Sequence, residues 1–487
     1  MTDTRSTIEA HDRTSPRSGL GGPILVHGFA TAVAMWCAWF LTHLPGLNLS
    51  SQVVGPLLLP VFLAGMLWCG MRVPAGQAWI AGAGAGFLTA ALNLLVLGQF
   101  LVKAPSSDGV PEPGFEGLQP TAAAIVPGFL AFGGVVGAIG GFVGAKLRRE
   151  PACSPALWLA RFGVVSAIAV VPLLLLGGVV TSTASGMAVP GWPDSYGANM
   201  FLFPIALMSH PRVFLEHTHR LFGSLVGLTT LALAVYVFAS DRRVFVRVRA
   251  AVAFILVCAQ GALGGGRVLA VSPWLGALHG VVAQLFFALM VAIATYLSPT
   301  YRSLSASQWI DGDRKRRVFV TGALHATILQ LVFGAIYRHV GQAKGNLHAL
   351  WAHAGFSVVV VIMVSIAAFL LRSRQDTQTA LSKTLRRLGT GLIVVVAVQF
   401  LLGWLAFAVV LMSGHRGPAP LATELETAKP IAAYAVLVGT AHQANGALLL
   451  ALLTMAAAYI RQMWRLKKAD QAGSVPGSRS GPAASLA

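Results

Sequence analysis

The segment Phe214-Leu-Glu-His-Thr-His-Arg-Leu-Phe-Gly223 gathers Glu216, His217, His219 and Arg220 immediately ahead of an apolar run. Read as a helix, Glu216, His219 and Arg220 stand at i, i+3 and i+4 and share one face, while His217 points away from it. An acid, an imidazole and a guanidinium in apolar surroundings cost several kcal/mol unless they pair or meet a ligand. Three more histidines, His279, His353 and His442, also stand near the starts of apolar runs. Paired neutral imidazoles inside an apolar bundle suit axial ligation of haem iron, whose porphyrin faces pack on apolar side chains. Zinc or copper would need a third or fourth ligand, and no cysteine or acidic cluster is at hand to supply one. His348 lies about one turn before His353 and competes with it; the repeat described below favours His353. His217 reads as a supporting or interfacial group, and His27, His43, His325 and His339 as interfacial.

The elements that must position these side chains are membrane helices. Of 487 residues, 56% are hydrophobic and 10% charged, against roughly 25% charged in a soluble domain, and the mean hydropathy is +0.72. Runs such as 162–180, 393–412 and 431–460 reach the roughly 20 residues that cross a bilayer core, where only helices can satisfy their own backbone in so apolar a run. The pattern predicts an all-α, polytopic membrane helical bundle of about twelve transmembrane helices. The spans fall near 22–44, 52–71, 77–101, 120–145, 158–182, 214–238, 248–267, 276–297, 319–340, 347–371, 388–412 and 432–460. The net charge of +19 does not mark a nucleic-acid binder, because alternate loops and the termini hold 27 of the 35 Lys and Arg residues. That is the positive-inside bias. It predicts both termini in the cytoplasm and the histidine-bearing helix ends on the opposite face. The acidic residues Asp3, Glu9 and Asp12 argue against a cleavable signal or a transit peptide. The four cysteines, Cys37, Cys69, Cys153 and Cys258, form no disulfide framework, metal motif or haem-attachment motif.

An internal repeat organises the later helices. Gln260-Gly-Ala-Leu-Gly264 matches Gln399-Phe-Leu-Leu-Gly403, and the following helices open with His279 and His442; upstream, His219 matches His353. The second copy has longer loops, with 89 residues from His353 to His442 against 60 from His219 to His279. The expected organisation is a tail at 1–20, a four-helix membrane region at 21–150, a four-helix unit at 158–297, a second at 319–461, and a disordered tail at 469–487 rich in Gly, Ser, Ala and Pro.

These residues resemble the haem A synthase family. The resemblance rests on Glu216-His-Thr-His219-Arg220, the two Gln-x-x-Leu-Gly helices, the later helix-opening histidines, and the segment Ser185-Gly-Met-Ala-Val-Pro-Gly-Trp-Pro-Asp-Ser-Tyr-Gly197, similar to the family's first outer loop; it covers about 158–460. It implies eight helices in two four-helix halves and oxidation of the haem O ring methyl to the formyl of haem A, for haem-copper oxidases. By position it implies that His219 and His279 bind the substrate haem, that His353 and His442 bind a permanent haem b, and that Glu216 is the catalytic carboxylate. Arg220 is grouped with the catalytic set, to pair with Glu216 or a haem propionate. Val189 and Ser195 stand near the positions of a cysteine pair found in some members, so the chain resembles the branch without that pair. The N-terminal four helices lie outside the eight-helix pattern.

The implied setting is a bacterial cytoplasmic (inner) membrane, with haem O synthase and terminal oxidase assembly machinery as partners, an electron donor that the sequence does not name, and room for a homo-oligomer. The apolar stretch Met200–Met208, interrupted by Pro204, reads as an interfacial segment over the first histidine pair. Two other readings use the same helices. A di-haem electron-transfer cytochrome b needs no Glu216 beside its ligand. A transporter or assembly factor without haem chemistry would place its ionisable groups near the midplane.

Overall fold

The computed structural model describes residues 19–44, 46–47, 49–102, 118–203, 208, 210–310, 312–373, 379–413 and 419–473. Twelve helices among them are long and apolar enough to cross a membrane. They are α1 (Gly21–Thr42), α2 (Ser51–Arg72), α3 (Ala75–Leu97), α4 (Ala122–Lys146), α5 (Trp158–Ser182), α6 (Pro211–Ser240), α7 (Val244–Leu269), α8 (Pro273–Leu297), α9 (Asp313–Ile336), α10 (His348–Arg372), α11 (Ala380–Ser413) and α12 (Ala433–Gly473). The expected all-helical membrane bundle is therefore what the chain forms. Two compact units divide it: the described residues of Met1–Leu95, Thr121–Val165 and Val235–Arg242, and those of Val96–Pro120, Ser166–Ala234 and Arg243–Ala487.

In the first unit glycines let helices touch backbone to backbone. A Cβ added to Gly137 of α4 would stand 2.3 Å from the Gly82 carbonyl oxygen of α3, and one on Gly144 2.1 Å from that of Leu67 in α2. Dispersion between closely packed backbones replaces the hydrophobic drive that lipid removes. The other side of α4 presents Phe132, Val135, Ile139 and Phe142, all exposed in the protein alone and suited to lipid. Trp36 is buried and donates from its indole to Asn93 Oδ1 at 3.1 Å. His27 corrects its interfacial reading: it is buried, with its ring edge-on to Trp68 and Trp158 at 5.7 and 5.8 Å. His43 bonds the Trp39 carbonyl at 2.8 Å just past the end of α1.

In the second unit, Val320, Val364, Leu371, Leu385, Leu392, Leu453 and Ile460 of α9–α12 form a common core. α8 packs on α7, α9 and α12. Three helices outrun their apolar spans, for reasons hydropathy does not register. α9 starts at Asp313, whose buried carboxylate accepts from Arg316 Nη1 at 2.9 Å and from the Ile310 amide at 3.1 Å. α11 starts at Ala380. α12 reaches Gly473, so 469–473 is helix rather than the start of a disordered tail. Trp464 on that extension lies 5.5 Å from Trp309, and the Arg317 guanidinium sits 4.1 Å over its ring, a cation–π contact. The expected tails at 1–18 and 474–487 lie outside the described residues.

Replacing Gly137 with Leu should destabilise the chain by at least about 1–3 kcal/mol, the usual cost of overpacking. Gly128→Leu, on the same helix but with open space at its Cβ, should be near neutral. Thermal unfolding in detergent compares them; equal melting of the two variants would contradict the backbone-contact account.

Candidate functional site

The four helices that carry the singled-out histidines have defined starts. Pro211 and Pro273 open α6 and α8, a position where the missing amide proton costs nothing. Ser272 caps α8, its hydroxyl accepting from the Leu275 amide at 3.3 Å. The side chain of Asn346 accepts from the His348 amide at 2.9 Å as α10 begins. His219, His279, His353 and His442 are then the ninth, seventh, sixth and tenth residues of their helices. At 1.5 Å per residue they lie roughly 8–14 Å along the helix from its first residue.

Each of the four rings rests on a glycine of the preceding spanning helix. A Cβ on Gly177 of α5 would meet His219 Cε1 at 3.2 Å, and one on Gly264 of α7 would meet His279 Cε1 at 3.2 Å. One on Gly334 of α9 would meet His353 Cε1 at 2.9 Å, and one on Gly403 of α11 would meet His442 Cε1 at 3.5 Å. A glutamine one turn before the glycine steadies three of them. Gln260 donates to the His279 carbonyl at 3.0 Å, Gln330 to the His353 carbonyl at 2.8 Å, and the Gln399 amide lies 3.2 Å from His442 Nδ1. The His353 Nδ1 also lies 3.0 Å from the Gln330 carbonyl oxygen. Gln330 and Gly334 escaped the sequence reading, yet Gln-x-x-x-Gly recurs at 260, 330 and 399; only α5 departs, with Leu173 before Gly177.

The rings meet in two pairs. His219 and His279 have centroids 6.5 Å apart with planes at 81°, and His353 and His442 are 6.1 Å apart at 79°. One metal bonded to a nitrogen of each ring at about 2 Å holds the centres ~6 Å apart, so both pairs have the separation of a single axially bound iron. In the first pair both Nδ1 atoms are buried with no hydrogen-bond partner, leaving that face of each ring unspent. These residues fit a haem at each pair. His348 is exposed at the helix start, and it is His353 that faces His442. His325 is exposed on α9.

Among the described residues, the first pair is the one with an ion pair beside it. Glu216 is buried, accepting from the Val189 amide at 2.8 Å and from Arg220 Nη2 at 3.0 Å. Arg220 spends its remaining donors on the outer segment, reaching the carbonyls of Val189 at 2.6 Å and of Gly191 and Asp194 at 2.9 Å each. His217, on the other side of α6, lies 3.2 Å from the Ser195 hydroxyl and packs on Phe203. The Tyr196 hydroxyl donates to the Ala188 carbonyl at 2.8 Å; burial pushes that phenol up, with the Glu216 charge adding to it. Trp192 lies directly on Gly265 of α7. The segment 186–197 is thus strapped to α6 by the very residues proposed for chemistry. The second pair has Leu350 and Ala354 where the first has Glu216 and Arg220. Of the apolar stretch at 200–208, residues 204–207 lie outside the described residues.

His339 corrects its interfacial reading. It sits on a π-helical turn, Tyr337–Gly341, and packs over Gly276 and Gly280, on either side of His279. Among the described residues no group of three or more His, Cys, Asp or Glu forms a metal cage, as expected where the ligands come in pairs.

Twelve spanning helices and two facing imidazole pairs define a polytopic membrane protein with two like sites of unlike charge. Residues 160–344 match the family model for the cytochrome oxidase assembly protein COX15-CtaA. The chain is similar to the Heme A synthase of Exiguobacterium sp., at 29% identity over 195 residues, covering 38% of this chain and 58% of that protein. Those of Paracoccus denitrificans and Shouchella clausii are 27% identical over 234 residues (41% and 59% covered) and 31% identical over 141 (28% and 44%). Over residues 160–344 the chain thus resembles that family. It spans between 43% and 60% of the length of the curated relatives it matches. The family model takes in Glu216, His219, Arg220 and His279 and ends before His353 and His442. No solved structure matches.

Arg220→Ala should release the strap. Deuterium uptake across 186–197 should rise while uptake in the α9–α12 core stays as in the unaltered chain; unchanged uptake in the segment would contradict the clamp.

Proposed function

We propose that this chain is a haem A synthase, oxidising the ring methyl of haem O to a formyl group, with the first histidine pair holding the substrate and the second holding a resident haem b. The observation that carries the reading is the asymmetry of two otherwise matched pairs: only His219/His279 has a buried carboxylate, Glu216, one turn from a ligand. The names of the curated relatives support the same activity.

A haem b at His353 and His442 would supply one-electron chemistry, passing electrons to or from the first site. The chain's own residues do the rest. His219 and His279 would hold the substrate iron from opposite faces. Glu216 then presents a fixed negative charge in a site from which water is largely excluded. A methyl carbon losing hydride or electrons develops positive charge, and a carboxylate already oriented by Val189 and Arg220 stabilises it without reorganising. Arg220 acts as a positioning residue in this scheme: its donors hold Glu216 and the strap, so it keeps the carboxylate aimed rather than touching the substrate. With Val189 and Ser195 at the loop positions, we read the chain as the type without a cysteine pair. We also place the histidine-bearing ends on the face opposite the cytoplasm, in a bacterial inner membrane, with haem O synthase and terminal oxidase assembly machinery as its partners.

A di-haem electron carrier would have no use for Glu216. Glu216→Ala should therefore keep both haem spectra and lose at least about a hundredfold in formyl product, the scale on which electrostatic groups act. Normal haem A from that variant would remove Glu216 from the mechanism. Gly334→Leu should drive His353 out of line and abolish the second low-spin spectrum, as should His353→Ala or His442→Ala; an intact spectrum in the alanine variants would overturn the haem b assignment.

A further inference from the structure

Beside the first pair lies a cationic group the scheme above does not use. Arg267 is on α7, three residues after Gly264, the glycine beneath His279. A Cβ on Gly276 of α8 would stand 3.5 Å from Arg267 Cδ and 3.0 Å from His339 Nδ1, and one on Gly280 3.7 Å from His339 Nε2. Arg267 and His339 therefore converge on the bare backbone that brackets His279. Arg338, next on the same π-helical turn, donates to the Thr181 carbonyl at 2.6 Å.

The charges here do not balance. Glu216, the buried acid of this site, is already ion-paired with Arg220 and bonded to the Val189 amide. Arg267 makes one hydrogen bond among the described residues, from Nη2 to the Gly186 carbonyl at 3.0 Å, and no ion pair. A half-buried guanidinium next to an apolar site, with one hydrogen bond and no acid of its own, is placed to receive an anion. The bidentate geometry of arginine favours a carboxylate.

The proposed reaction has a matching need. Two axial imidazoles fix a porphyrin's iron but leave the ring free to turn about the axis through it. Oxidation of one particular methyl requires a further contact that sets which part of the periphery faces Glu216. The only ionic groups on the porphyrin are its two carboxylate side chains.

We infer that Arg267, with His339 beside it, is the carboxylate-binding site for the acidic edge of the substrate porphyrin, and that it sets the ring's rotation over the His219/His279 pair. The inference rests on the haem reading of that pair. It makes Arg267 a specificity-determining residue and gives the π-helical turn a purpose: the turn carries His339 onto α8, five residues beyond the glycine that supports His353.

The test uses the purified full chain with its second site loaded, titrated at the first site with protohaem and, separately, with protohaem dimethyl ester, followed by absorption. The unaltered chain should bind the diacid at least about tenfold more tightly than the diester. Arg267→Gln should lose that preference by weakening diacid binding alone, and Arg267→Lys should restore part of it. No preference in the unaltered chain, or an undiminished preference in Arg267→Gln, overturns the inference; the first of these outcomes needs no variant to fold. His279→Ala separates the two levels of the argument. If it abolishes the titration while Arg267→Gln changes nothing, the haem site stands and the carboxylate site falls. If His279→Ala titrates like the unaltered chain, the haem reading itself is wrong.

Discussion

An imidazole laid on a glycine is the contact on which the rest of this architecture depends. A histidine can face a partner ring across a bundle only if the helix behind it comes close enough to fix its orientation. Gly177, Gly264, Gly334 and Gly403 provide that closeness, leaving no side chain between the backbone and the ring. Glutamine one turn away then ties down three of the four. Because the contact involves backbone, it tolerates little substitution, and it recurs in one form on four helix pairs. The result is two facing ring pairs with nearly equal separations of 6.5 and 6.1 Å.

The same frame is put to unequal use. Around His353 and His442 the matching positions are Leu350 and Ala354, a setting for a group held and not altered. Around His219 and His279 the helices bury Glu216 and partly bury Arg220 and Arg267, and a strapped outer segment bonds the first two. Holding a carboxylate in such a place is unfavourable in itself. The Arg220 ion pair, the Val189 amide and the three loop carbonyls on the guanidinium offset that cost. The strap is thus part of the electrostatics as much as a cover, and the proposed catalytic role of Glu216 and the order of residues 186–197 stand together.

Much of this was legible in the sequence. Apolar runs located the twelve helices because bilayer thickness sets a length that composition alone reveals. The i, i+3, i+4 spacing put Glu216, His219 and Arg220 on one face, and the Gln-x-x-Leu-Gly repeat paired the right histidines. The parts that escaped are those where partners are distant in sequence. His339 read as interfacial because nothing local announces a π-helical turn or the glycines of α8 that receive its ring. His27 looked like a belt residue until the two indoles around it closed a buried site. Gln330 and Gly334 stand outside the Gln-x-x-Leu-Gly pattern because Phe333 replaces its Leu, whereas the physical requirement is only a small residue under the ring and an amide one turn away. Helix ends beyond the apolar spans, at Asp313 and Gly473, rest on the Asp313–Arg316 ion pair and the tilted contact of Trp464 with Trp309, which hydropathy does not register.

The chemistry and mass of the haem extracted from the purified full-length chain, made in cells that supply haem O, is the most direct measure of whether two like sites do unlike work. The asymmetry of the pairs predicts two kinds of haem from one chain: unaltered protohaem, and a second haem carrying a hydroxylated or formylated ring methyl. Protohaem alone at both sites, or no haem in a chain whose four histidines are intact, would contradict it.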